Sequence, residues 1–104
     1  MTSSKDYLDF VLGQLSGLEE IRYRAMMGEY ILYYKDKIVG GIYDDRLLVK
    51  PVKSAIDYLS EVNYEEPYPG AKEMLLVDDL DNPDYLTGLF DAMVEELPEP
   101  KKKK

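Results

Sequence analysis

Between Glu29 and Lys50 three runs of strand-forming residues are joined by connections too short for anything but a hairpin. Glu29 to Lys35 is aromatic and β-branched, Ile38 to Tyr43 is apolar around two glycines, and Arg46 to Lys50 ends in a lysine. The joints are Asp36-Lys37 and Asp44-Asp45. Parallel neighbours need a crossover of roughly a dozen residues or more, so strands this close must run antiparallel. Upstream, Ile21, Tyr23 and Ala25 alternate with Arg22, Arg24 and Met26, the period of a half-buried strand. The segment therefore predicts a four-stranded antiparallel meander.

Helical patterns flank it. Leu8, Val11, Leu12 and Leu15 fall on one face of a helix expected over Ser4 to Ser16, opened by a capping pattern at Ser3 and Asp6 and stopped by Gly17. Pro51 ends the meander, and Val52, Ile56 and Leu59 mark a second, short helix reaching Ser60. Asn63 to Lys72, with Pro67, Pro69 and Gly70, reads as a loop or broken edge segment, and Met74 to Val77 as a last short strand. Asn82-Pro83 is an N-cap followed by a first-turn proline, and Leu86, Leu89, Phe90, Met93 and Leu97 follow at helical spacing. These four helix-three positions from Leu86 to Met93 are expected to face the sheet and share a core with Leu12, Leu15, Ile42 and Val49. The fold class is α+β: two layers, with an antiparallel sheet and helices mainly on one face. Residues 1–97 are expected to form one domain, and 98–104 a disordered basic tail.

Residue chemistry narrows the function. The 104 residues include no Cys and no His, which removes disulfides, thiolate metal sites, cysteine nucleophiles and Ser-His-Asp catalysis. The serines at 3, 4, 16, 54 and 60 sit at helix caps or on helix surfaces, without a glycine-flanked elbow to expose a nucleophile. Asp78, Asp79, Asp81 and Asp84 lack the glycine and glutamate of a calcium loop, and they gather where acids complement a helix dipole. Gly40-Gly41 lacks the flanks of a phosphate loop and marks a bulge or a close approach, with helix two or three as candidates to lie across it. No enzyme, cofactor or metal is expected.

Charge is divided along the chain. The net charge is -8, yet Arg22 to Lys53 holds seven basic residues against four acidic, and Ser54 to Pro100 one against thirteen. The acidic half repels phosphate, and no basic helix is available to read a groove, so direct nucleic-acid binding is not expected. Arg22 and Arg24 share one strand face and are expected to pair with Glu29, Asp44 or Asp45 across neighbouring strands. There is no apolar run long enough to span a bilayer and no basic-then-apolar leader, which points to the cytoplasm.

One stretch has a relative. Arg24-Ala25-Met26-Met27-Gly28-Glu29-Tyr30-Ile31-Leu32-Tyr33-Tyr34, then Asp36-Lys37, then Asp44-Asp45-Arg46-Leu47-Leu48-Val49-Lys50, resembles the N-terminal domain of the TfoX/Sxy family of DNA-competence regulators. Glu66-Pro67-Tyr68, the Met74 strand and the Asp84 to Ala92 helix follow the same pattern more loosely. Met27 stands where relatives often carry an aromatic, and Asp36-Lys37 where they often turn on a glycine. The resemblance implies a two-layer α+β domain, similar in outline to type III secretion chaperones. In the competence regulators this domain is joined to a C-terminal helical domain and acts with the cyclic-AMP receptor protein at promoters. The resemblance extends only to the N-terminal module, so this chain is expected to hold that module alone.

The resulting expectation is a non-enzymatic regulatory or protein-interaction module, with an unidentified protein partner. The alternative is a chaperone-like or scaffold domain, homodimeric and unrelated to competence. Ten Tyr against two Phe imply aromatic rings with hydroxyls at half-buried faces or interfaces. Arg24, Met27, Tyr30, Tyr33 and Tyr34 are the candidate contacts, since Arg and Tyr are favoured interface anchors. Alternation sends Tyr30, Leu32 and Tyr34 to one face and Ile31 and Tyr33 to the other. Helices cover one face of a two-layer domain, so one of these tyrosine sets should remain accessible.

Overall fold

Two tight turns set the sheet. The computed structural model describes residues 4–26, 28–59, 61–77 and 80–97. Within it β1 (Ile21–Met26), β2 (Glu29–Tyr34), β3 (Lys37–Tyr43) and β4 (Arg46–Val49) form the expected meander. The β2–β3 turn is Lys35-Asp36, one residue earlier than the sequence pattern indicated, with φ of 54° and 66°. Asp44-Asp45 joins β3 to β4 with φ of 54° and 56°. Both are two-residue hairpins with positive φ throughout, whose twist matches that of the strands. Side chains hold the second turn in place: Glu29 accepts from the Asp44 amide (3.1 Å), and Asp45 accepts from the Ser4 amide (2.8 Å).

Before the meander comes α1 (Lys5–Gln14); after it come α2 (Lys53–Tyr58), β5 (Tyr64–Glu65), β6 (Met74–Val77) and α3 (Pro83–Met93), the last continued by a 3-10 turn over Val94–Glu96. The sheet order is β1-β2-β3-β4-β6-β5, antiparallel throughout. Met74 to Val77 is thus not the outermost strand; the Tyr64–Glu65 pair lies beyond it. The cap of α1 is Ser4, whose hydroxyl accepts from the Tyr7 amide (3.1 Å), and the helix closes at Leu15 without a left-handed Gly17. Asn82 caps α3 as its sequence implies, accepting from Tyr85, with Pro83 in the first turn. A carboxylate from the far end of α3 does the same for α2. Glu96 accepts from the Ser54 amide (2.7 Å), which lowers the Glu96 carboxyl below its usual range.

The three α-helices among the described residues meet one face of the sheet. Leu8, Val11 and Leu15 of the first helical segment, Ala55 of α2, and Leu86, Leu89, Phe90 and Met93 of α3 share a buried core with Leu32, Val39, Ile42, Leu47 and Val49. Leu12 packs against its border. The Tyr58 hydroxyl donates to the Tyr85 carbonyl (3.0 Å), joining α2 to α3 above Gly88. Gly40-Gly41 does mark both a bulge and a close approach, but the near neighbours are strands rather than helices. Leu32 pairs with Gly40 and Tyr33 with Ile38, leaving Val39 as an extra residue in β3.

Tyr34 reaches from the sheet into this layer. It is 3% exposed, its ring lies 6.4 Å from that of Phe90, and its hydroxyl donates to the Asp91 carboxylate. Burial, then the hydrogen bond and charge of Asp91, push its phenol from 10.0 up to about 12. A phenol raised in the native state stabilises fully below the unfolded value and loses that contribution as pH rises through the folded one. Urea titrations across this alkaline range should show stability falling from pH 10.0 to about 12, with a shallower fall in Tyr34→Phe. At neutral pH the same variant should lose about 1 kcal/mol, the net worth of one hydrogen bond.

Candidate functional site

The sheet face away from the helices is divided in two. At one end Arg46 binds the segment after β5 down onto the sheet. Its Nη1 reaches Glu65 Oε1 (3.0 Å), its Nη2 donates to the Glu66 carbonyl (3.1 Å), and its Nε donates to the Tyr43 carbonyl (3.2 Å). Pro67 is buried, and a groove of about 600 Å³ remains between this segment and the sheet, lined by Ile38, Tyr43, Val52, Tyr68 and Met74. Burial, with Tyr68 and Glu29 nearby, raises the Tyr43 phenol. The role of Arg46 had no signal in the sequence, because its carbonyl acceptors are set by the loop's path.

The other end is open. β1 is an edge strand, exposed from Arg22 to Met26, so its expected half-burial is not found: it lies beyond the reach of the helices. Register places Arg22 opposite Tyr33 and Arg24 opposite Ile31, all on the outer face. Tyr23 pairs with Leu32 on the inner side, 43% exposed at the edge, with its ring set edge-on to Tyr30 at 5.9 Å. A shallow hollow of about 530 Å³ is lined by Arg22, Tyr23, Arg24, Tyr33 and Asp36.

The arginines do not make the cross-strand pairs their sequence implies. Arg22 Nη1 lies 3.9 Å from Asp36, with both side chains at least 70% exposed, a contact worth little in water. Glu29 and Asp45 face backbone amides instead. The Arg24 side chain has no ion pair or hydrogen bond among the described residues.

Of the five candidate contacts, Arg24 and Tyr33 share the open hollow. Tyr30 and Tyr34 point to the helix side, where Tyr30 borders the core and Tyr34 is consumed by it. Met27 lies outside the described residues. Arg22 and Tyr23 belong with the surviving pair; the parity that put Arg22 beside Arg24 was visible, but the edge position that exposes Tyr23 was not. Asp78 and Asp79 also lie outside the described residues, and among those described no acidic, histidine or cysteine cluster is gathered for a metal. Nor is any helix among them long and apolar enough to cross a membrane.

A six-stranded antiparallel sheet sealed by helices on one side, with a bare arginine-bearing edge on the other, defines a small α+β domain. The chain belongs to the TfoX N-terminal domain family, whose pattern it matches over residues 13–87. It is also 32% identical over 105 residues to an "Uncharacterized 12.7 kDa protein in trpE 5'region" of Spirochaeta aurantia, covering 100% of this chain and 91% of that one. No solved structure matches it.

Proposed function

We propose that this chain is a non-enzymatic regulatory module that works by binding a protein partner in the cytoplasm, through the outer side of β1 and β2. Family membership supports the regulatory part of this reading. The observation that carries the binding part is the open edge: a six-residue strand with an exposed face, an unpaired Arg24 and a half-buried Tyr33 beside it. Arginine and tyrosine bring large contact area and hydrogen-bond donors, as interface anchors do. The proposal includes no direct contact with duplex DNA, since the net charge is -8 and both arginines lie on a strand rather than on a helix that could enter a groove.

Substituting Arg24→Ala and Tyr33→Ala together should abolish affinity capture of the native partner while the thermal unfolding midpoint stays within a few degrees. Unfolding of the double variant, or undiminished capture, would move the interaction surface elsewhere, most directly to the acidic helices. The second reading, a homodimeric scaffold or chaperone-like domain, draws on the same bare edge, through which two copies could join.

A further inference from the structure

We infer that β1 is a docking edge for an extended acidic segment of another protein, which adds to the sheet as a seventh, antiparallel strand. This rests on the interaction role proposed for the same surface, and it names the chemistry of the partner.

The ladder phase shows what the edge offers. The Lys35 amide donates to the Glu20 carbonyl (3.2 Å), and Glu20 immediately precedes β1. Hydrogen-bonded and non-hydrogen-bonded pairs alternate in an antiparallel ladder, so the even-numbered residues of β1 exchange bonds with β2. Ile21, Tyr23 and Ala25 therefore aim their N–H and C=O groups away from the sheet, and among the described residues these groups have no partner. An added strand would satisfy them, the usual source of affinity in strand addition. Its residues opposite Arg22 and Arg24 would then form non-hydrogen-bonded pairs, in which side chains approach most closely. Both would face the outer side, two residues apart. The residue between them would exchange backbone bonds with Tyr23 and turn its side chain toward the Tyr23 and Tyr30 rings. The fitting sequence is thus acid, apolar, acid.

Charge selects this occupant over the alternatives. In a continuous antiparallel sheet made of two copies, the two-fold axis is perpendicular to the sheet and outer residues meet outer residues. The registers that overlap most of β1 set Arg22 against the other copy's Arg24, or Arg24 against itself. Like charges directly opposite destabilise a pair of strands. The chain's own end, Lys101 to Lys104, also carries the wrong sign. A carboxylate-bearing strand meets Arg24, which is unpaired, and Arg22, whose contact with Asp36 is long and exposed. The net charge of -8 opposes approach from a distance, but beyond about 8 Å it is largely screened at physiological salt. Affinity would come from the short-range pairs and the backbone.

The test uses the full chain, labelled for amide NMR and titrated with a synthetic peptide of alternating Glu and Val. Expected are peptide-dependent shifts and slowed exchange at the Ile21, Tyr23 and Ala25 amides, absent with a peptide of the same composition in block order. N-methylating the peptide residue opposite Tyr23 should abolish the effect, and Arg24→Glu should weaken it roughly tenfold. Replacing both Arg22 and Arg24 by Glu should transfer the preference to a Lys and Val peptide. Both variants alter exposed side chains, and a retained thermal midpoint confirms that they fold. Equal binding of the block peptide, no shift at these amides, tighter binding of duplex DNA there, or self-association through β1 would each overturn the inference. If the Arg24 and Tyr33 double variant loses its native partner while the alternating peptide leaves these amides unmoved, strand addition fails and the interaction surface stands.

Discussion

Phe90→Ala is expected to cost about 3 to 5 kcal/mol in a urea titration, with the slope of the transition unchanged. Phe90 is fully buried, and among the described residues it is the largest side chain to be so. It sits in α3, in contact with the Tyr34 ring and in the cluster that gathers α1, α2 and the inner rows of β2, β3 and β4. Its ring is held from several elements at once, so the void left by Ala cannot be closed by moving one of them. A domain of this size has about 5 to 15 kcal/mol in all, so the loss would be a large share of the total. A cost below about 1 kcal/mol would mean that the helices do not meet the sheet through this residue.

That α3 would present Phe90 to the sheet was legible from period alone, since Leu86, Leu89, Phe90 and Met93 mark a single stripe. The meander was equally legible, because connection length excludes other pairings. Less was written in the Lys35-Asp36 turn. It adopts positive φ at two residues without a glycine, so side-chain identity misplaces it by one position. β5 is two residues long and has no period to detect; its existence depends on β6 being in place to pair with it. The candidate surface lies between these cases. Alternation separated Tyr33 from Tyr34 at once, but which of them faces water depends on the side the helices take, and that is a tertiary choice. The edge position of β1 is likewise decided by β6, which joins the sheet at β4 instead of at β1.

Gly40→Ala should be as damaging as the loss of Phe90, for the opposite reason. A Cβ at this position would lie 2.0 Å from the Leu48 carbonyl oxygen and 2.6 Å from the Val49 Cα. Both are backbone atoms of β4, so no rotamer change relieves the contact. Gly40 follows the extra residue Val39 and pairs with Val49, while the Val39 carbonyl accepts from the Lys50 amide at 2.9 Å. Making room for one methyl group would separate β3 from β4 at the bulge end of their ladder, and β4 carries Leu47 and Val49 into the core. The expected cost is about 3 kcal/mol or more, at or beyond the upper end for overpacked sites, because the obstruction is main chain. Gly13→Ala provides the matched control. It lies in α1 with nothing within 4 Å of its would-be Cβ, so the same substitution there should stabilise by about 0.5 to 1 kcal/mol through helix propensity. Parallel urea titrations of the two variants should therefore move in opposite directions. A Gly40→Ala midpoint close to that of the unaltered chain would mean that β3 and β4 do not approach as described.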